Sequence, residues 1–163
     1  MRNRTLCYLA ALGIGAMVGA GSPAVAADYT TIVLSTDVAR PASEVWKKIG
    51  GFCDIGAWLK LKCVYTSGTG GLGTVRQLAG RIDEVMVGQT PHSYTYAQPA
   101  NKSLYHGTVD VESAGPHRSK IIYSIVYDQL NLAPGETKEQ YRAQHIKMFT
   151  GALASMKKAA ESP

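Results

Sequence analysis

The sequence contains few of the residues from which metal and redox centres are built. It has three cysteines and four histidines among 163 residues. The cysteines form no C-x-x-C motif, and the histidines show neither H-x-x-x-H nor H-x-H spacing, the patterns that zinc and thiol redox sites typically use. A nucleophile elbow, a Ser/His/Asp order and a P-loop are absent as well. We therefore predict no metal, no cofactor and no catalytic nucleophile.

Long apolar runs and dense positive charge are also scarce. The longest apolar run, residues 6–18, is shorter than the roughly 20 residues that a membrane-spanning helix needs. The formal net charge of +5 falls to +3 without Arg2 and Arg4, and the remaining basic residues are scattered. We therefore expect neither a membrane span nor a nucleic-acid partner. No repeat or low-complexity linker divides the chain, which favours one domain.

One glycine-rich segment resembles a dinucleotide-binding loop only superficially. Residues 68–73 match G-x-G-x-x-G, but a pyrophosphate needs a helix N-terminus directly after this motif. The residues that follow, 74–78, have the composition of a strand. We interpret the segment as a hairpin loop.

Residues 1–27 have the three parts of a secretory signal. Arg2 and Arg4 precede the apolar run of residues 6–18, and the small residues 24–26 follow it. Cys7 lies before the apolar run and away from the cleavage site, so no lipoprotein anchor is expected. We predict a cleaved signal, a domain over residues 28–163 and a periplasmic or secreted location. The alternative is a retained amphipathic tail.

Cleavage leaves two cysteines, Cys53 and Cys63. An isolated pair ten positions apart in an oxidising compartment indicates a disulfide. Closing so short a loop would stabilise the fold by about 2–3 kcal/mol through loop-closure entropy. The alternative is two separate buried thiols.

The C-terminal segment has the helical periodicity around which the rest of the chain is interpreted. Thr137 and Gln140 have the spacing of a capping box, which predicts a helix over residues 137–160 of about 35 Å. Its apolar stripe comprises Ile146, Phe149, Leu153 and Met156, with Ala152 and Ala160 alongside. Such a stripe needs a partner surface.

Most of the preceding chain has strand composition. A first strand over residues 29–39 precedes two short helices, one starting near Arg40-Pro41 and ending at Gly50, the other over residues 53–58. Six further strands are predicted over residues 61–65, 74–78, 82–87, 93–97, 104–112 and 120–127. This order predicts an α+β fold in which a curved sheet wraps the long helix.

Several segments resemble one superfamily. Residues 38–46 (VARPASEVW) are similar to the "apapevVW" opening of START-like, Bet v 1-like (SRPBCC, polyketide cyclase/dehydrase) proteins, and residues 52–58 to their "dfgni..W" segment. Residues 73–76, 82–86 and 93–96 resemble the "G.vR", "v.ErL" and "ysY" strands; Val85 and Tyr123 depart from the usual Arg and Trp. The resemblance implies a helix-grip fold: a seven-stranded antiparallel sheet around the C-terminal helix, with a cavity for apolar ligands between them.

Tyrosines dominate the predicted inner face. Strand alternation places Tyr94 with Tyr96, and Tyr123 with Tyr127, on one face of their strands. If these faces are concave, the rings line a cavity and their hydroxyls orient an amphipathic ligand. The alternative is that the same rings simply fill the core.

Arg76 and Glu84 lie on neighbouring strands of a hairpin predicted around Ala79-Gly80. They would either anchor the polar group of a ligand or form a structural ion pair. His145 is on the C-terminal helix and is a further candidate, although no partner for acid catalysis is evident. The candidate ligand-binding residues are Trp58, Arg76, Glu84, Tyr94, Tyr96, Tyr105, Tyr123, Tyr127, His145 and Phe149.

Three functions fit these features. The first is a periplasmic carrier or sensor of a small apolar or aromatic ligand, without covalent chemistry. The second is an enzyme resembling polyketide cyclases or aromatases, which a secreted location disfavours because acyl-carrier substrates are cytoplasmic. The third is an accessory protein that contacts a periplasmic oxidoreductase system, as the resemblance to secreted family members implies. Fold alone does not choose among them.

Overall fold

The computed structural model describes residues 26–132 and 134–163. The strands are β1 (Tyr29–Val38), β2 (Cys63–Ser67), β3 (Val75–Leu78), β4 (Ile82–Thr90), β5 (Ser93–Ala97), β6 (His106–Ser113) and β7 (Ser119–Asp128). The helices are α1 (Ala42–Ile49), α2 (Ile55–Leu59) and α3 (Lys138–Glu161), with a 3-10 turn at Gln129–Asn131. The predicted signal lies outside the described residues apart from its last two positions.

The seven strands form one antiparallel sheet in the order β1-β7-β6-β5-β4-β3-β2. The chain passes from one edge strand, β1, to the other, β2, through α1 and α2. Helix α3 packs on β1, β7, α1 and α2. The predicted α+β helix-grip fold, with two short helices after the first strand, is therefore confirmed.

Helix α3 begins where the capping pattern predicts. The Thr137 hydroxyl accepts a hydrogen bond from the Gln140 N–H at 3.2 Å, and the Gln140 carboxamide oxygen accepts one from the Thr137 N–H at 3.1 Å. These bonds satisfy N–H groups that no helical carbonyl reaches. The predicted apolar stripe is buried from Phe149 onward, including Leu153 and Met156, whereas Ile146 is half-buried at its N-terminal end.

The largest differences from the predicted bounds are in α2, β2, β4 and β6. Helix α2 starts at Ile55 instead of residue 53, and β6 starts at His106 instead of residue 104. Helix α2 ends at Leu59, because Lys60 adopts a left-handed conformation at φ 56° as its C-cap, so β2 starts only at Cys63. Strand β4 continues to Thr90 past a register shift between Met86 and Gly88, an irregularity that composition alone does not reveal.

The Cys53–Cys63 disulfide is formed, with a Cα–Cα distance of 5.6 Å, which confirms the predicted bridge. It closes the loop that contains α2. Within the described residues, no helix combines the length and the apolar character that crossing a membrane requires.

Candidate functional site

A partly open apolar cavity of about 400 Å³ lies between α3 and the sheet, at the end covered by α2. Its wall combines side chains of α2, the β3–β4 hairpin, β5, β7 and α3. A groove of about 520 Å³ beside Pro41, Glu44 and His117 is more open and more polar. Because small-molecule sites are concave and mainly apolar, the cavity between α3 and the sheet is the better candidate.

The structure brings most of the candidate residues together around this cavity. Trp58, Glu84, Tyr96, Tyr105, Tyr123, His145 and Phe149 all contribute to the wall. Arg76, Tyr94 and Tyr127 are buried outside it.

Tyr94 and Tyr127 fill the core on either side of the cavity. The Tyr94 ring packs against Trp46 and Phe52, with centroids 5.9 and 5.4 Å apart. The Tyr127 ring contacts those of Tyr141 and His145. Tyrosines that share a strand face therefore divide between packing and cavity lining.

Three tyrosine hydroxyls form a cluster in the cavity wall. The Tyr96 hydroxyl oxygen lies 2.7 Å from that of Tyr123 and 3.3 Å from that of Tyr105. Gly107, the cross-strand partner of Tyr96, allows this geometry because a Cβ at position 107 would overlap the Tyr96 ring. Burial raises the pKa of Tyr96 and Tyr123 well above the ordinary value and also raises the pKa of Tyr105. The hydroxyls therefore remain protonated.

A buried ion pair links the cavity wall, to which Glu84 belongs, to Arg76 in the core behind it. Arg76 Nε donates to Glu84 Oε2 at 2.7 Å, Nη2 lies 2.6 Å from the same oxygen, and Nη1 donates to the Phe52 carbonyl oxygen. Burial alone would lower the pKa of Arg76, but Tyr94 and Glu84 outweigh it, so the pKa is raised and the guanidinium stays charged. Nε and Nη1 thus donate to protein groups, whereas Nη2 lies close to Glu84 but makes no well-aligned hydrogen bond in the described residues.

Glu84 extends this ion pair to the cavity rim. Its Oε1 accepts from Gln98 Nε2 at 2.9 Å, and Gln98 Oε1 accepts from Asn101 Nδ2 at 3.0 Å. Gln98 and Asn101 line the cavity but were not among the sequence candidates. Continuing the alternation of Tyr94 and Tyr96 by two residues would have identified Gln98; Asn101 lies in the β5–β6 connection, where no periodicity applies.

Two further polar groups lie in the wall. His145 Nδ1 is 2.8 Å from the Tyr141 carbonyl oxygen, so when Nδ1 donates there, Nε2 is the nitrogen left for a ligand. Trp58 Nε1 is buried without a hydrogen-bond partner in the described part of the chain. Among those residues, no group of His, Cys, Asp and Glu side chains has the arrangement of a metal site. The site can therefore enclose an apolar molecule and offer it a few hydrogen bonds.

Several solved structures are similar over most of the chain. A protein from Nitrosospira multiformis shares 18% identity with a TM-score of 0.64, covering 81% of this chain and 95% of that chain. An uncharacterized protein from Bacillus thuringiensis shares 19% identity with a TM-score of 0.66, covering 82% and 100%. Ara h 8.0201 shares 14% identity with a TM-score of 0.62, covering 83% and 99%. At these identities the similarity establishes the fold alone.

Sequence comparison identifies the family. No curated protein sequence matches the chain significantly. The family profile described as polyketide cyclase/dehydrase and lipid transport matches residues 29–161, nearly the whole domain that follows the predicted signal. This match confirms the resemblance drawn from the sequence motifs. The chain belongs to the polyketide cyclase/dehydrase and lipid transport family.

Proposed function

We propose that this protein carries or senses a small apolar or aromatic molecule in the cavity between the sheet and α3, without covalent chemistry. The observation that supports this most directly is the apolar cavity of about 400 Å³ between α3 and the sheet, which is within the usual range of small-molecule sites. Its wall is mainly aliphatic and aromatic, and its polar groups are few and convergent.

The proposal places this activity outside the cytoplasm. The signal-like residues 1–27 support this location, as does the Cys53–Cys63 bridge, since disulfides persist mainly in oxidising compartments. We expect the mature protein to begin at Ala27 or Asp28. N-terminal sequencing of secreted or periplasmic material tests this, and recovery of Met1 would refute the proposed location.

Native mass spectrometry of protein purified without denaturation tests the binding function. We expect the mature protein to carry one small apolar or aromatic molecule, which denaturation releases. A stoichiometric protein partner in place of a small molecule would favour the accessory-protein alternative, with contacts to an oxidoreductase system.

Whether the protein changes the ligand chemically distinguishes a carrier from an enzyme. A released ligand that is returned to the purified protein should be recovered with unchanged mass. Loss of a water molecule during incubation would instead support the cyclase-like alternative, in which the tyrosine hydroxyls polarise a carbonyl group.

A further inference from the structure

The tyrosine cluster of Tyr96, Tyr105 and Tyr123 has one more hydrogen-bond donor than its internal contacts require. Three hydroxyls supply three donors, and the two contacts between them consume two. These side chains make no other hydrogen bond within the described residues. One O–H group in the cavity wall therefore has no acceptor among residues 26–132 and 134–163, and a buried donor without an acceptor is costly.

A second donor lies in the same wall, since the buried Trp58 Nε1–H also has no partner in the described residues. The amides of Gln98 and Asn101 are already linked to Glu84 and to each other. The deep part of the wall thus offers hydrogen-bond donors, and the group that would satisfy one of them is an acceptor on the ligand.

The basic side chains around the cavity disfavour an anionic acceptor. His145 in the wall has its Nδ1 on the Tyr141 carbonyl oxygen, and neither nearby arginine can pair with an anion in the deep part. Arg76 is completely buried, lies outside the cavity wall and has its charge paired with Glu84. Its Nη2 makes no hydrogen bond but lies 2.6 Å from Glu84 Oε2, so Arg76 is not available to a ligand anion. Arg81, the other arginine near the cavity, lies in the wall but is exposed to solvent, where an ion pair contributes little. Moving a carboxylate into the deep part would be unfavourable without a cation.

We propose that the ligand is a neutral apolar or aromatic molecule whose polar group is a hydrogen-bond acceptor, such as a ketone oxygen, held by the tyrosine cluster, and that carboxylates are rejected. This inference rests on the proposed function and specifies its ligand class. It distinguishes this cavity from one that receives the ionised end of a fatty or aromatic acid.

Three ligands of nearly equal shape test the inference with the folded mature protein. They are 2-acetylnaphthalene, in which the acceptor is a ketone; 2-isopropenylnaphthalene, in which a methylene replaces the ketone oxygen; and 2-naphthoate, which is ionised at pH 7. We expect the ketone to bind about fivefold more tightly than the alkene, the usual contribution of one hydrogen bond, and the carboxylate to bind at least about tenfold more weakly than the ketone.

Tyrosine-to-phenylalanine variants identify the donor. Tyr96→Phe/Tyr105→Phe/Tyr123→Phe removes the cluster and should abolish the preference for the ketone over the alkene. Tyr94→Phe is the matched control, because Tyr94 is equally buried but lies outside the cavity, and it should leave the preference unchanged. Independently of any variant, the infrared carbonyl band of the bound ketone in wild type should shift to lower frequency than in hexane.

Four outcomes would overturn the inference. Equal affinity for ketone and alkene with an unshifted carbonyl band would show that no donor engages the ligand. Affinity for naphthoate that matches the ketone would show that the cavity accepts anions. A preference that survives in the folded triple variant would assign the donor to Trp58 instead of the tyrosines. If none of the three compounds binds, the proposed function fails, and the ligand class fails with it.

Discussion

Arg76 and Glu84 are cross-strand partners in the β3–β4 hairpin and form an ion pair. The pair is almost fully buried, because the exposed fraction is 0% for Arg76 and 3% for Glu84. Arg76 also binds the Phe52 carbonyl, just before the disulfide-closed loop, and Glu84 binds Gln98 after β5. The pair therefore joins three chain segments around the cavity. Arg76 lies behind the cavity wall, and both oxygens of Glu84, which does line the cavity, are already bound to Arg76 or Gln98. The pair therefore holds the site together, and we do not expect it to anchor the ligand.

The first prediction is that Glu84→Gln destabilises the fold strongly. The substitution leaves the Arg76 guanidinium buried without a counter-charge, which typically costs about 3–5 kcal/mol. Urea unfolding at pH 7 measures the change. The double variant Arg76→Met/Glu84→Leu should lose much less than Glu84→Gln, since it removes both charges and keeps apolar volume.

The outer face of the same hairpin supplies a matched control. Gln77 and Asp83 are also cross-strand partners, and their side chains form a hydrogen bond of 2.9 Å exposed to solvent. Asp83→Asn should change the free energy of unfolding by less than about 0.5 kcal/mol. Similar losses for Asp83→Asn and Glu84→Gln would contradict a special role for the buried pair.

The sequence predicted the elements well where local signals agree. The bounds of β5, Ser93–Ala97, match the prediction because alternation and flanking turn residues coincide. The turn at Ala79-Gly80 forms as expected within the three-residue connection 79–81, with φ values of 50° and 72°, the two positive values that a type I′ turn requires. Residue pairs across the sheet, such as Arg76 and Glu84, follow directly from that turn.

The sequence did not predict which inward-facing tyrosines line the cavity and which pack in the core. Alternation assigns Tyr94 and Tyr96 to the same inner face, but two residues along a strand are about 7 Å apart, enough to separate the packed core from the cavity. Only the paths of α1, α2 and α3 decide which ring is covered. Tyr105 reaches the cluster through a loop in which Leu104 has φ 51°, and no propensity indicates that conformation for leucine.

The second prediction concerns the Cys53–Cys63 bridge. Denatured, unreduced mature protein should show no titratable thiol, and two reactive thiols would exclude the bridge. Cys53→Ala/Cys63→Ala should lower the free energy of unfolding by about 2–3 kcal/mol, because the denatured chain regains loop entropy. Ligand dissociation should also become faster, since Ile55, Trp58 and Leu59 of the cavity wall lie inside the closed loop.

The third prediction is a loss of stability at alkaline pH. Burial raises the pKa of Tyr96, Tyr105 and Tyr123 in the folded protein, whereas unfolded tyrosine titrates near about pH 10. Above that pH the unfolded chain binds fewer protons than the native chain, so the free energy of unfolding falls as pH rises. Urea unfolding between pH 8 and about pH 11 measures this decline.

Two observations check whether the buried tyrosines cause the loss of stability at alkaline pH. In Tyr96→Phe/Tyr123→Phe the free energy of unfolding should fall less steeply with pH. This variant lacks two of the hydroxyls that keep their protons in the folded state. The absorbance of tyrosinate should reach its full amplitude only as the circular dichroism signal of the fold is lost. Complete ionisation while the fold is intact would contradict the burial of these hydroxyls.

The fourth prediction tests the cavity through the two phenylalanines of the chain, Phe52 and Phe149. Both are buried, but Phe149 lies in the cavity wall, whereas Phe52 packs against Tyr94 and the Arg76 guanidinium, whose Cζ is 4.0 Å from the ring centroid. The same enlargement to tryptophan should therefore have opposite effects at the two positions. Dye binding and urea unfolding are measured for each variant to distinguish the two effects.

Phe149→Trp places its added ring in the open space, so it should weaken binding of an environment-sensitive apolar dye by about tenfold or more and change stability by less than about 1 kcal/mol. Phe52→Trp overfills a packed site and should cost about 1–3 kcal/mol while dye affinity is retained. If wild type binds no dye and Phe149→Trp is as destabilised as Phe52→Trp, the space beside α3 is filled. The carrier and cyclase hypotheses would then both fail, because each requires an open cavity, and the accessory-protein hypothesis would be favoured.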